Sequence, residues 1–162
     1  MLRLQAEAVV DVHDIEILQI IGAMQDTLAA MPGVGIAAPQ ISCSKQIVII
    51  ASRPTPRYPH APLMEPTVMI NPGFKALSER QEKDWEGCLS VPGIRALVPR
   101  YQDIAIHYID QQGGLVETTL NGFVARIFQH EFDHLLGKTY LDRVEDNRDI
   151  YAESEFLKLI GG

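Results

Sequence analysis

His130-Glu131-Phe132-Asp133-His134 sets two histidines four residues apart, with a glutamate directly after the first. On a helix of about 3.6 residues per turn, positions i and i+4 lie one above the other, so both imidazoles can grip one metal ion. The glutamate falls on an adjacent part of the face, where it can act on a metal-bound water instead of ligating the metal. A lone histidine on an apolar face is more often a hydrogen-bonded core residue than a ligand. Two at ligand spacing around a glutamate reverse that expectation, provided the flanks are helical and a third ligand exists.

The flanks predict a helix. Asn121-Gly122 reads as a turn, and Phe123, Ile127, His130, His134 and Leu135 recur at the spacing of one helical face. Gly137 can take the left-handed conformation that commonly ends helices. Leu135 to Tyr140 contains no histidine, which excludes the metzincin pattern of three histidines. A thermolysin-like site would instead draw a glutamate from a second helix, with Glu145, Glu153 and Glu155 as candidates. The better third ligand lies upstream, in Trp85-Glu86-Gly87-Cys88-Leu89-Ser90-Val91-Pro92-Gly93. One thiolate and two imidazoles leave a fourth metal position open, the mark of a catalytic rather than structural site. Cys43 has no such surroundings and reads as a small buried hydrophobe.

Gly33-Val34-Gly35-Ile36-Ala37-Ala38-Pro39-Gln40 is the third informative block. Two glycines at alternate positions let a backbone pass very close to a ligand. The block lacks the third glycine of a dinucleotide fingerprint and the Lys-Ser/Thr of a P-loop, which argues against phosphate cradling. Gln40 is the polar group of interest, because its side-chain amide can donate to an oxyanion.

GVGIAAPQ, EGCLS and QHEFDHL, in this order, resemble the three signature motifs of the peptide deformylases, which remove the formyl group from the N-terminal methionine of new polypeptides. The resemblance runs from about the first helix to Leu141 and includes Ile70-Asn71-Pro72 and Arg95 to Arg100. It implies that Cys88, His130 and His134 bind one divalent metal ion, with Fe²⁺ the family's usual ion and Zn²⁺ or Ni²⁺ able to take its place. It further implies that Glu131 is general base and acid, and that Gln40 and the backbone N–H of Leu89 stabilise the oxyanion. Gly33, Val34, Gly35, Arg95, Phe123, Arg126 and Ile127 would line or approach the substrate pocket. An added-strand pairing of peptide backbone with Gly33 to Gly35 fits that arrangement. Glu86, Arg100 and Asp133 are candidates to support the ligands from behind. The expected partners are formyl-Met peptides and nascent chains, met by a monomer.

The remaining sequence reads as one α+β catalytic domain over residues 1–162, with small mixed or antiparallel sheets packed around the central histidine-bearing helix. Asp14 is placed to cap a first helix with Ile17, Leu18, Ile21, Met24 and Leu28 as its apolar stripe. Strands are expected at Gln46 to Ile50, Thr67 to Asn71, Ile104 to Ile109 and Leu115 to Leu120, with a proline-rich loop from Arg53 to Pro66. The resemblance would place an extended segment before the first helix, and here that segment is expected to be shortened or missing. Met1-Leu2-Arg3 shows no signal-peptide pattern and no apolar run spans a membrane, so a cytoplasmic location is expected. Two cysteines, one a metal ligand, leave no disulfide framework. A net charge of −7 argues against direct nucleic-acid binding. Asp142 to Gly162 carries six acidic residues against three basic ones, a poor match for an RNA surface, which leaves ribosome association open.

Overall fold

The computed structural model describes residues 1–55 and 58–161. Helix α1 (Ile15–Ala30) starts where the Asp14 side chain accepts from the Glu16 N–H. Its buried stripe is Ile17, Ile20, Ile21, Met24 and Leu28. Leu18 does not belong to it: the residue is 42 % exposed, one position and about 100° around the helix from Ile17. Ile20 takes the place expected for it.

A five-stranded antiparallel sheet follows, built from β1 (Gly35–Ala37), β2 (Ile47–Ser52), β3 (Met64–Ala76), β6 (Asp103–Ile109) and β7 (Leu115–Asn121), in the order β1-β2-β3-β6-β7. The second sheet has the order β4-β5-β8, from β4 (Gln81–Cys88), β5 (Val91–Tyr101) and β8 (Ile150–Ala152). β3 runs well past the expected Thr67 to Asn71 at both ends, and its first residues lie inside the loop expected from Arg53 to Pro66. The reason is pairing: Met64 is matched by Ser52 of β2 and Ala76 by Ile104 of β6. Residues 56 and 57 of that loop lie outside the described residues.

Helix α2 (Gly122–Leu135) carries the two histidines and packs on both sheets. Ala125, Ile127, Phe128 and Leu135 join the core formed with Val48, Ile50, Met69, Ile104 and Ile106 of the larger sheet. Toward the smaller sheet the helix presents polar groups. Gln129 uses its side-chain amide as a strand would, accepting from the Tyr101 N–H at 3.1 Å and donating to the Tyr101 carbonyl at 2.9 Å. Gly122 enters the helix at φ +54°, and Gly137 closes it at φ +70°. The closure is a Schellman arrangement, with Lys138 N–H donating to the Asp133 carbonyl and Gly137 N–H to that of His134. A side chain at Gly137 would also meet the Arg3 carbonyl at 2.7 Å. Helix α3 (Glu153–Ile160) ends the chain, anchored by the buried Phe156. Among the described residues no helix is long and apolar enough to cross a membrane.

Residues 1–14 form no strand, yet they are tied down. An isolated bridge joins Glu7 to Lys45, and Ala6 N–H reaches the Leu135 carbonyl at 2.9 Å. Asn71, at φ +49°, clasps the same segment: its side chain accepts from Val9 N–H and donates to the Val9 carbonyl, both at 2.8 Å. Asn tolerates the left-handed region better than most residues. Asn71→Ala should therefore lower the unfolding free energy by about 1–3 kcal/mol, read from the urea midpoint. Asn71→Gly should recover none of the hydrogen-bond loss, only the backbone strain.

Candidate active site

Cys88 ends β4, and the two-residue turn Leu89-Ser90 leads into Val91 of β5, its pairing partner. The hairpin thereby brings a sulfur up to the helical histidine pair. The candidate ligand atoms of Cys88, His130 and His134 all lie within 4.8 Å of one another, with Sγ of Cys88 3.5 Å from Nε2 of His134. Metal bonds of about 2.0–2.3 Å to sulfur and nitrogen need ligand atoms gathered at about this separation. Nδ1 of His130 is 2.8 Å from Oε2 of Glu86, which fixes the ring and leaves Nε2 to the cluster. Tyr140 stacks on the His130 ring at 5.8 Å.

The donor set suits a cation chemically as well. Burial works to raise the Cys88 thiol, but hydrogen bonds and charge from His130 and His134 outweigh it and bring the group from 9.0 down to about 5. The thiolate is the form that ligates metals. Burial likewise opposes ionisation of Glu86, yet its bonds to His130 and Arg100 hold it well below the usual carboxylate range. Glu131 goes the other way: burial raises its carboxyl, against the pull of His130 and His134. That is the direction a proton-shuttling carboxylate needs.

Behind the cluster sits a buried ion network. Arg100 donates to both oxygens of Glu86 at 2.9 and 3.0 Å and to Asp133 at 2.6 Å. Arg143 closes on Asp133 from outside. Arg126 donates to Glu86 Oε1 at 2.9 Å and to the Val98 and Glu82 carbonyls. Arg126 does form part of the cleft wall, but the bonds of its guanidinium run to the scaffold. Glu86, Arg100 and Asp133 are thus brought together with Arg126, which sequence reasoning had grouped with the substrate pocket.

The glycine block lies across the cleft from the cluster. A Cβ on Gly35 would come within 2.6 Å of Glu131 Oε1, so glycine is what lets β1 approach the carboxylate. Gly33 has no such restriction, its nearest neighbour standing at 3.6 Å. Gln40 lies in a short 3₁₀ turn, where Oε1 accepts from Ala37 N–H at 2.8 Å. The amide is thereby turned so that Nε2 faces Ser90 Oγ at 3.1 Å and Cys88 Sγ at 3.6 Å. Oε2 of Glu131 is buried with no hydrogen-bond partner among the described residues. A buried carboxylate oxygen calls for a donor, and a reacting water or amine would provide one.

These residues line a cleft of about 560 Å³, which also contains Val34, Leu89, Arg95, Phe123 and Ile127. Sequence reasoning missed Tyr58 and Glu153 as wall residues; Trp85 lines the cleft with them. Tyr58 packs on Phe123 at 4.7 Å and donates to the Trp85 carbonyl. An aromatic in a proline-rich loop gives no pattern that would place it there. The glutamates weighed as third ligands are engaged elsewhere: Glu145 with Lys83, Glu153 with Arg95 and Glu155 with Lys158.

Comparison with known proteins agrees with this geometry. The family model described as polypeptide deformylase matches residues 1–149. Peptide deformylase 2 of Nostoc sp. is 54 % identical over 159 residues, covering 98 % of this chain and 89 % of that protein. Peptide deformylase 1 of Nitrosomonas europaea is 48 % identical over 142 residues, 87 % of this chain and 81 % of its own length. The Met-Ala-Ser-bound crystal structure of the class I type b peptide deformylase from Acinetobacter baumannii superposes with a TM-score of 0.85 at 44 % identity, covering 88 % of this chain and 91 % of that one. The assignment of Cys88 as ligand is open to a direct check by elemental analysis after cobalt or zinc loading. Cys88→Ser should weaken metal retention by about tenfold or more, while Glu145→Gln should retain the wild-type stoichiometry.

Proposed function

The chain belongs to the polypeptide deformylase family, and we propose how its residues perform that family's reaction, the hydrolytic removal of the formyl group from the N-terminal methionine of new polypeptides. The observation that carries the reading is the gathering of Cys88, His130 and His134 beside a buried Glu131 carboxylate at the head of a cleft. A divalent ion held by those three ligands would act as a Lewis acid and bring the pKa of a coordinated water toward neutrality.

The protein's own groups do the rest. Glu131 takes a proton from the attacking water, whose oxygen bonds to the formyl carbon and converts the planar amide into a tetrahedral oxyanion. Gln40 Nε2, turned by the Ala37 N–H on its other end, donates to that oxyanion, joined by the backbone N–H of Leu89. Glu131 then returns the proton to the leaving nitrogen as the C–N bond breaks, and formate and a free methionine amine result. Val34, Phe123 and Ile127 offer an apolar wall to the methionine side chain, whose flexible thioether suits such a surface. Gly33 to Gly35 would pair with the peptide backbone.

A thiolate and two imidazoles suit several divalent ions, and the proposed resident ion is Fe²⁺, with Zn²⁺ or Ni²⁺ able to occupy the same ligands. The chain is proposed to act as one catalytic domain, as a monomer, on nascent chains in the cytoplasm.

Formate release from formyl-Met-Ala-Ser, assayed anaerobically with iron restored, is the decisive measurement. Glu131→Ala should keep its metal and lose about 10²–10⁴-fold in kcat. Gln40→Leu should lose about 10²–10³-fold. Full metal loading without formate release by the wild-type protein would instead favour a peptide-binding role.

A further inference from the structure

We propose that Arg95 and Glu153 together decide which charges the enzyme accepts in the peptide residues after the first, and that the C-terminal segment exists at the cleft to supply Glu153. Nε and Nη2 of Arg95 donate to Oε1 of Glu153 at 3.2 and 2.7 Å, and both side chains line the same cleft as the ligand cluster. The carboxylate is the outer member, 37 % exposed against 12 % for the guanidinium.

Glu153 is held there by built structure. β8 pairs with β5 in a register that sets Tyr151 opposite Arg95. Trp85 lies against Tyr151 at 5.2 Å and Phe156 at 4.9 Å, and the Arg95 guanidinium lies over the Phe156 ring at 5.8 Å. Phe156 itself is 3 % exposed. The family match ends at residue 149, so Tyr151, Glu153 and Phe156 lie beyond it, whereas Trp85 and Arg95 lie within it.

The position of the pair relates it to particular peptide residues. The Arg95 guanidinium is packed on Gly87, where any Cβ would overlap it, and Gly87 directly precedes Cys88. Successive Cα atoms stand about 3.8 Å apart, so a peptide whose formyl carbon is at the cluster brings its second and third residues into the range of this pair. Each substitution that follows changes the local charge by one unit, whatever else the two side chains touch. At the separations of a half-open cleft, one unit is worth about threefold to tenfold in selectivity between oppositely charged peptides.

The inference rests on the deformylase reading above. Its test compares kcat/KM for formyl-Met-Glu-Ser and formyl-Met-Lys-Ser with the metal-loaded enzyme. Glu153→Gln should raise the Glu/Lys ratio by about threefold to tenfold, Arg95→Gln should lower it similarly, and the double variant should return toward the wild-type ratio. Both shifts should shrink as salt is raised, because the pair is partly solvent-exposed. Ratios unmoved in both single variants, or moved in the same direction as general loosening of the rim would move them, overturn the proposal. Wild-type enzyme that releases formate from neither peptide would sink the deformylase reading itself, a result distinct from an unchanged ratio.

Discussion

The carboxylate of Glu86 is the point on which the rest of the structure converges. It is 5 % exposed and receives Arg100, Arg126 and the Nδ1 side of His130. Burying such a group costs several kcal/mol in lost hydration, which only a full set of hydrogen bonds offsets. Glu86 has that set, drawn from β5, α2 and the histidine itself. Removing any one donor would leave a buried charge poorly paired, a change that typically costs about 3–5 kcal/mol. The same bonds join the second sheet to α2, so the position of the His130 imidazole and the docking of the sheet are one constraint.

That constraint explains why α2 is amphipathic in an unusual sense. One face is apolar and enters the core with Ala125, Phe128 and Leu135. The opposite face is also buried but polar, with Arg126, Gln129 and Asp133 each nearly inaccessible. An apolar second face would pack on the β4–β5 hairpin in several rotations about the helix axis. Directional hydrogen bonds to Glu86, Tyr101 and Arg100 admit one, and with it one placement of His130, Glu131 and His134. Gly35 completes the constraint from the other side, since β1 can approach Glu131 only where no side chain intervenes.

Much of this was legible in the sequence, and what was not has a common physical cause. The helix around His130 and His134, the gathering of Cys88 with them and the hydrophobic strands could be read because their signals are local: fixed spacing, alternation and turn residues. β4 escaped because Gln81-Glu82-Lys83-Asp84 is an exposed polar edge with no alternation to mark it. β8 escaped because a three-residue strand has no period at all. Arg126 was placed at the pocket by the family resemblance and does line the cleft, but the bonds of its guanidinium run to Val98, Glu86 and Glu82, partners 28 to 44 residues away that no local pattern reveals. Glu153 was weighed as a metal ligand because its charge was visible and its salt bridge to Arg95, 58 residues distant, was not. Local patterns reveal which residues can react; long-range pairing decides which of them face the cleft.

The chain order then sets Glu153 apart from the reacting groups. Gln40, Cys88, His130, Glu131 and His134 all fall within the matched residues 1–149, as does the network that orients them. These groups must keep their geometry to within tenths of an ångström, because proton transfer and oxyanion stabilisation are lost with small displacements. Glu153 comes from the segment after that region and acts through charge at the rim, where Coulomb interactions vary slowly with distance and tolerate displacement. Changes in residues 150–161 can therefore retune which peptides are favoured without displacing the groups at the Cys88, His130 and His134 cluster. This segment meets the hairpin that also carries Cys88, pairing with Ile94, Arg95 and Ala96 and packing on Trp85. Selectivity for the later peptide residues is the property best suited to such a position, since it needs a field in the cleft and not a precise contact with the reacting atoms.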